Sequence, residues 1–224
     1  MRNKIILLSL SLLFFACSVP EGARESGEEA KIFPDYKGVV IPPNISPLDF
    51  KILNDGERYV TTISGEKAGT ITVRGCDVKL PSKEWKALVE ANKGSDIVYT
   101  VNVKRKGEWL KLAQFKGTVV EDPIDDYMVY RLLAPSYEFY TAFSIRQRNL
   151  STGEDREVYN NRMHYNPKEQ QCMNCHQFQN YRTENWQMHV RQVLGGTLIV
   201  TGDESRKVNL KTDSTMSAGV YPAW

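Results

Sequence analysis

Residues 172–176 read Cys-Met-Asn-Cys-His, the C-x-x-C-H spacing at which a c-type haem is attached. The chemistry accounts for the spacing. The thiols of Cys172 and Cys175 add across the two vinyl groups of one porphyrin. His176, next in sequence, then ligates the iron from the proximal side. Three other uses compete for the same residues. A zinc half-site needs a second Cys/His pair at metal spacing, and the chain has none. A thioredoxin-like redox pair needs a βαβ pattern around it, which is also lacking. A structural disulfide stays open as the third.

A second iron ligand would decide what such a haem can do. Two protein ligands close the iron and favour electron transfer, whereas one leaves it open to small molecules. His189, in Trp186-Gln187-Met188-His189-Val190, is the favoured candidate, because its apolar neighbours would bury it and a loop could fold it over the ring. The competing role for His189 is a hydrogen-bonded core histidine. His164, eight residues before Cys172, reads as a solvated turn residue or an alternative ligand. Met163, Met173 and Met188 are thioether alternatives, with Met173 badly placed inside the attachment loop.

Haem c attachment needs an exported chain, and residues 1–17 supply the expected address. Arg2 and Lys4 precede an uncharged, mostly apolar run from Ile5 to Ala16, too short for a membrane span. Phe14-Phe15-Ala16-Cys17 ends it in the manner of a bacterial lipoprotein signal, with Cys17 as the lipidated first residue of the mature protein. The competing reading is an ordinary secretory signal. The expected location is the cell envelope, anchored by lipid and facing the periplasm, with the outer membrane as the favoured membrane. Removing residues 1–16 takes away Arg2 and Lys4 and no acid, so Lys+Arg falls from 29 to 27 against 27 Asp+Glu. A formally neutral mature chain has no basic surplus for phosphates, which points away from nucleic acid. Cys76, between Val73 and Val78, reads as a small buried apolar residue.

The elements that must carry these residues follow in order. Residues 18–45 read as a tether and then an extended Pro-rich segment around Pro42-Pro43. Residues 46–160 read as many short strands with turns at Asn54-Asp55-Gly56, Ser64-Gly65 and Lys106-Gly107-Glu108. They also carry one helix from Ser82 to about Asn92 that presents Trp85, Leu88 and Val89 on one face. Ile97, Tyr99, Val101 and Val103 alternate as one face of a strand, and 109–115 returns as its partner. The expected fold class is mainly β: an antiparallel β-sandwich over 46–160, a short helical C-x-x-C-H segment over 161–192, and propeller-entry strands over 193–224. The helix would start at Asn166-Pro167-Lys168-Glu169, with Asn as N-cap and Pro at the first helical position. The aromatic cluster at Tyr137-Glu138-Phe139-Tyr140 could form part of a glycan platform, or of the core and rim of the sandwich.

Pro34-Asp35-Tyr36-Lys37-Gly38-Val39, Ile41-Pro42-Pro43-Asn44-Ile45-Ser46-Pro47-Leu48, Cys172 to His176, His189-Val190-Arg191 with Gly195-Gly196-Thr197, and Pro222-Ala223-Trp224 together resemble a Bacteroidetes-type family of envelope lipoproteins. Its members are often labelled TolB-like or cytochrome c-biogenesis-like. The resemblance implies an N-terminal all-β domain, a C-x-x-C-H segment and a C-terminal propeller, with Pro222-Ala223-Trp224 at a blade junction. The propeller blades themselves are not in this sequence. The expected function is a membrane-anchored haem c protein for electron transfer or redox sensing, with one covalent haem held by Cys172, Cys175, His176 and His189 and served by a redox protein partner. The alternative is a non-enzymatic glycan- or protein-binding envelope lipoprotein whose CMNCH cysteines form a disulfide or metal clip. No paired carboxylates in a recognisable motif and no nucleophile elbow point to an enzyme.

Overall fold

The computed structural model describes residues 20, 22–133, 143–164, 168, 172–215 and 223–224. Cys17, the Tyr137–Tyr140 cluster and most of the expected helix start at 166–169 lie outside the described residues. The chain divides into two compact units between Ile124 and Asp125. It is mainly β, with several sheets, mostly antiparallel, and no closed barrel. The boundary cuts the expected 46–160 sandwich in two. Its physical reason is local: Glu121-Asp122-Pro123-Ile124-Asp125-Asp126 places a proline among four acids, which cannot continue a sheet ladder.

The first unit runs through β1 (Arg24–Glu29), β2 (Ile32–Phe33), β3 (Val40–Ile41), β4 (Phe50–Ile52), β5 (Arg58–Gly65), β6 (Thr70–Arg74), β7 (Asp77–Val78), α1 (Ser82–Ala91), β8 (Ser95–Arg105), β9 (Glu108–Ala113) and β10 (Phe115–Val119). Long β8 is the spine. It pairs antiparallel with β5 on one edge, and with β9 and then β10 on the other. Its alternation is realised as expected: Ile97, Tyr99, Val101 and Val103 are all fully buried. Tyr99 stacks on Phe115 with centroids 4.7 Å apart. Helix α1 begins directly after Pro81 and lays Trp85, Leu88 and Val89 on the core. The Trp85 indole donates to the Ile45 carbonyl at 3.0 Å, which fixes the Pro-rich segment against the helix.

The expected tether, residues 18 to about 31, is corrected from residue 24 onward. Strand β1 pairs parallel with β9, Arg24 opposite Leu110 and Glu25 opposite Lys111. The segment is almost without apolar residues, so what holds it is charge. Lys111 Nζ donates to Glu25 at 2.8 Å, and Arg105 grips both Glu28 oxygens at 2.7 and 3.1 Å. Asn54 adds a further bond to Glu28 at 2.8 Å. The Arg105 and Asn54 bonds hold the Glu28 carboxyl down to about 2. A carboxylate lowered in the folded state adds stability above its unfolded value and loses it as pH falls toward the folded one. Acid unfolding should therefore show a component between about pH 4.5 and 2 that Glu28→Gln lacks. Urea midpoints of the two proteins across that window check it. Since the pair is partly exposed, the component should be modest, within about 1 kcal/mol.

The second unit holds two sheets. Strands β11 (Tyr127–Leu132), β12 (Ser144–Asn149) and β13 (Asp155–Asn160) form an antiparallel meander. Strands β14 (Cys172–Gln179), β15 (Arg182–Arg191), β16 (Gly196–Thr201) and β17 (Glu204–Val208) form a second. Phe143, Ile145 and Met188 are buried together, with Val129, Tyr159, Met173 and Trp186 packed on them, so the two sheets share a small core. A 3-10 turn, Gln192–Leu194, and Gly195 join β15 to β16, with Gly196 as the first residue of β16.

Candidate functional site at the CMNCH strand

The C-x-x-C-H residues lie on a β-strand, which corrects the expected helix. Cys172 through Gln179 pair with β15, Cys172 opposite Arg191, Cys175 opposite His189 and His176 opposite Met188. From Cys172 onward the pairing with β15 decides the conformation, and local helix preference does not. Phe178, opposite Trp186, supplies an aromatic cross-strand pair of the kind that stabilises a sheet.

The register sets which side chains can meet. Residues three apart on a regular strand point to opposite faces. Here the register shifts between Met173 and Cys175, so Asn174 is an extra residue in the ladder. The bulge turns Cys172 and Cys175 to the same face, because their partners Arg191 and His189 are two apart on β15. Both cysteines are buried. No disulfide joins Cys76, Cys172 and Cys175 to one another. Cys76 is half-buried at the turn between β6 and β7 rather than fully enclosed.

His189 shares the face of the two cysteines and is 5% exposed. Its Nδ1 lies 3.2 Å from the Thr197 hydroxyl on β16. Burial, with the Arg191 charge adding to it, lowers its basicity below the ordinary histidine value, so the ring is neutral at pH 7. A neutral, oriented imidazole has the chemistry of a metal ligand and of a core hydrogen-bonding histidine alike. His164 closes a short 3-10 turn, Asn161–His164, in which Met163 is exposed. Met188 is buried in the small core.

His176 occupies the other face. It lines a cavity of about 190 Å3 with Phe178, Trp186, Met188, Val129 and Ile145. Consecutive residues of a strand point opposite ways, so His176 and Cys175 cannot face one ring while both stay in β14. His176 and His189 likewise stand on opposite faces of the sheet and cannot flank one macrocycle. The cavity is also smaller than the roughly 300–1,000 Å3 typical of cofactor pockets. The donor set matches haem c in type and spacing, and its arrangement within the paired strand does not fit that group.

Two further polar atoms beside the strand bear on what the site could bind. Tyr159 Oη and Asn161 Nδ2 are buried with no hydrogen-bond partner. Asn161 Oδ1 accepts the Met173 backbone N–H at 3.2 Å, which places that side chain at the start of β14. Burial first, and then the nearby Cys172, raise the Tyr159 hydroxyl above its ordinary value. Sequence reasoning passed over both residues, since a lone Tyr and Asn at a strand end carry no spacing signal.

Among the described residues no group of three or more His, Cys, Asp or Glu is placed to hold a metal ion. No helix among them is long and apolar enough to cross a membrane. No family model matches the chain, and no curated protein matches it.

Proposed function

We propose that this chain is an envelope lipoprotein that carries one covalent haem c at Cys172 and Cys175, with His176 as the iron ligand, and serves electron transfer or redox sensing. The observation that carries the proposal is the C-x-x-C-H motif itself, in a chain whose first seventeen residues read as a lipoprotein signal. A bound haem c would supply one-electron chemistry at the envelope. Because the paired strand separates His176 from the cysteines, attachment requires residues 172–176 to leave the ladder. The strand is suited to that: β14 lies at the edge of its sheet, so releasing it leaves β15–β17 paired. The four-stranded meander 172–208 has the strand number of one propeller blade, beginning at residue 172 rather than at the expected 193.

The test is a pyridine haemochrome spectrum of the full chain, expressed with its own signal in a host competent for haem c maturation. A covalent haem c spectrum is expected. Colourless protein with Cys172 and Cys175 both recovered unmodified by mass spectrometry sinks the reading.

A second reading is favoured by the cavity at Trp186, Phe178 and His176, in which Gln147 and Arg156 add polar groups to an aromatic wall. That combination is how a non-enzymatic module holds a glycan or a protein side chain. Colourless protein whose Trp186 fluorescence shifts on adding an oligosaccharide would support it, and loss of that shift in Trp186→Ala would locate the contact.

A further inference from the structure

We infer that the β8–β9 hairpin end of the first unit lies against an anionic bilayer surface. The inference rests on the reading of Cys17 as the lipidated residue. It is independent of whether the chain carries haem.

Chain length makes the first part of the argument. Strand β1 begins at Arg24, so only residues 18–23 separate it from Cys17. Six residues reach at most about 20 Å, even fully extended. The reach is shorter in practice, because Gly22 adopts φ +76 and turns the chain. An acyl chain on Cys17 therefore holds the start of β1 within about 20 Å of the headgroups rather than on a long leash.

Topology makes the second part. Because β1 runs parallel to β9, its first residue lies at the same end of the sheet as the first residue of β9. That end is the β8–β9 turn at Lys106-Gly107. Strand β5 also starts there, with Arg58 opposite Lys104. The end closest to the anchor is thus fixed by hydrogen-bond register.

Charge makes the third part. The mature chain as a whole is formally neutral, but this end carries Arg24, Arg58, Arg74, Lys104 and Lys106. The acids among them are Asp55, Glu57 and Glu108, the last paired with Arg24 at 3.9 Å, while Glu28 with Arg105 and Glu25 with Lys111 neutralise each other. A local cationic excess within a Debye length of the surface favours anionic lipid over zwitterionic lipid. Trp109, half-buried beside the turn, brings an amphipathic ring to the same edge.

The experiment uses the full lipidated chain in two sets of vesicles, one of phosphatidylethanolamine mixed with anionic phosphatidylglycerol and one of phosphatidylcholine alone. Hydrogen exchange is read over residues 104–109. Exchange in the anionic vesicles is expected to be roughly fivefold slower than in the neutral ones. The Lys104→Glu, Lys106→Glu variant should lose that difference while exchange over α1 stays unchanged. Equal exchange in both vesicles, with the diacylglyceryl group found on Cys17, overturns the inference and leaves the lipoprotein reading intact. Absence of lipid on Cys17 overturns both.

Discussion

Substituting serine at both Cys172 and Cys175 should abolish covalently held colour in protein matured in a haem-c-competent host. The thioether bonds are the only covalent link the motif offers, so whatever His176 retains by coordination should extract into acidified acetone. Each single variant should keep a reduced, covalently bound fraction through its remaining sulfur. His176→Ala should keep the covalent link and change the spectrum, because it alters ligation rather than attachment. A structural result is expected alongside. In the haem-loaded chain, amides of 172–179 should lose hydrogen-exchange protection, while those of 182–191 and 196–201 keep theirs. The strand parity described above requires this, since Cys175 and His176 are adjacent and cannot face one ring from within a ladder. If the protein is coloured and 172–179 remains as protected as in the haem-free chain, the argument from parity is wrong even though the haem is present.

The largest stability effect should come from Trp85→Ala. The ring is fully buried and is the largest enclosed side chain of the first unit. Removing it leaves a void under α1 and strips a donor from the Ile45 carbonyl. Large-to-small changes of this kind cost about 3–5 kcal/mol. Trp85→Phe separates the two contributions: it restores much of the volume and leaves Ile45 O unsatisfied, at about 1–3 kcal/mol. Urea denaturation followed by far-ultraviolet circular dichroism gives both values. A loss under about 1 kcal/mol for Trp85→Ala would mean that the Pro-rich segment closes over the gap, at odds with a core this well packed.

What the sequence disclosed and what it hid have separate physical origins. Periodicity is readable wherever apolar burial drives the element. Thus α1 emerged from Trp85, Leu88 and Val89, and β8 from the four alternating residues 97, 99, 101 and 103. The turns at Gly65 and Gly107 were legible from glycine. Strand β1 was illegible because its partners are Lys111, Arg105 and Asn54, brought from far along the chain, and charge pairing leaves no period. The unit boundary had a signal that went unused, the proline among acids at 121–126. At the CMNCH segment, residue types were readable and geometry was not. A capping pattern at 166–169 pointed to a helix, while the bulge that aligns the sulfurs exists only in the register with β15. Cys76, Tyr159 and Asn161 were obscure for the same reason, since their surroundings are assembled by pairing.

One feature of the first unit reaches beyond its stability. Strand β1 covers the outer backbone edge of β9 with a short, highly charged ribbon that enters the sheet from the N-terminal side. A product trimmed past residue 29, by a protease or by design, would uncover the β9 edge between Leu110 and Ala113. Such a bare rim is a template for intermolecular pairing, so the trimmed protein should self-associate where the intact one stays dispersed. By that expectation, the acidic ribbon of β1 would guard the β9 edge against aggregation.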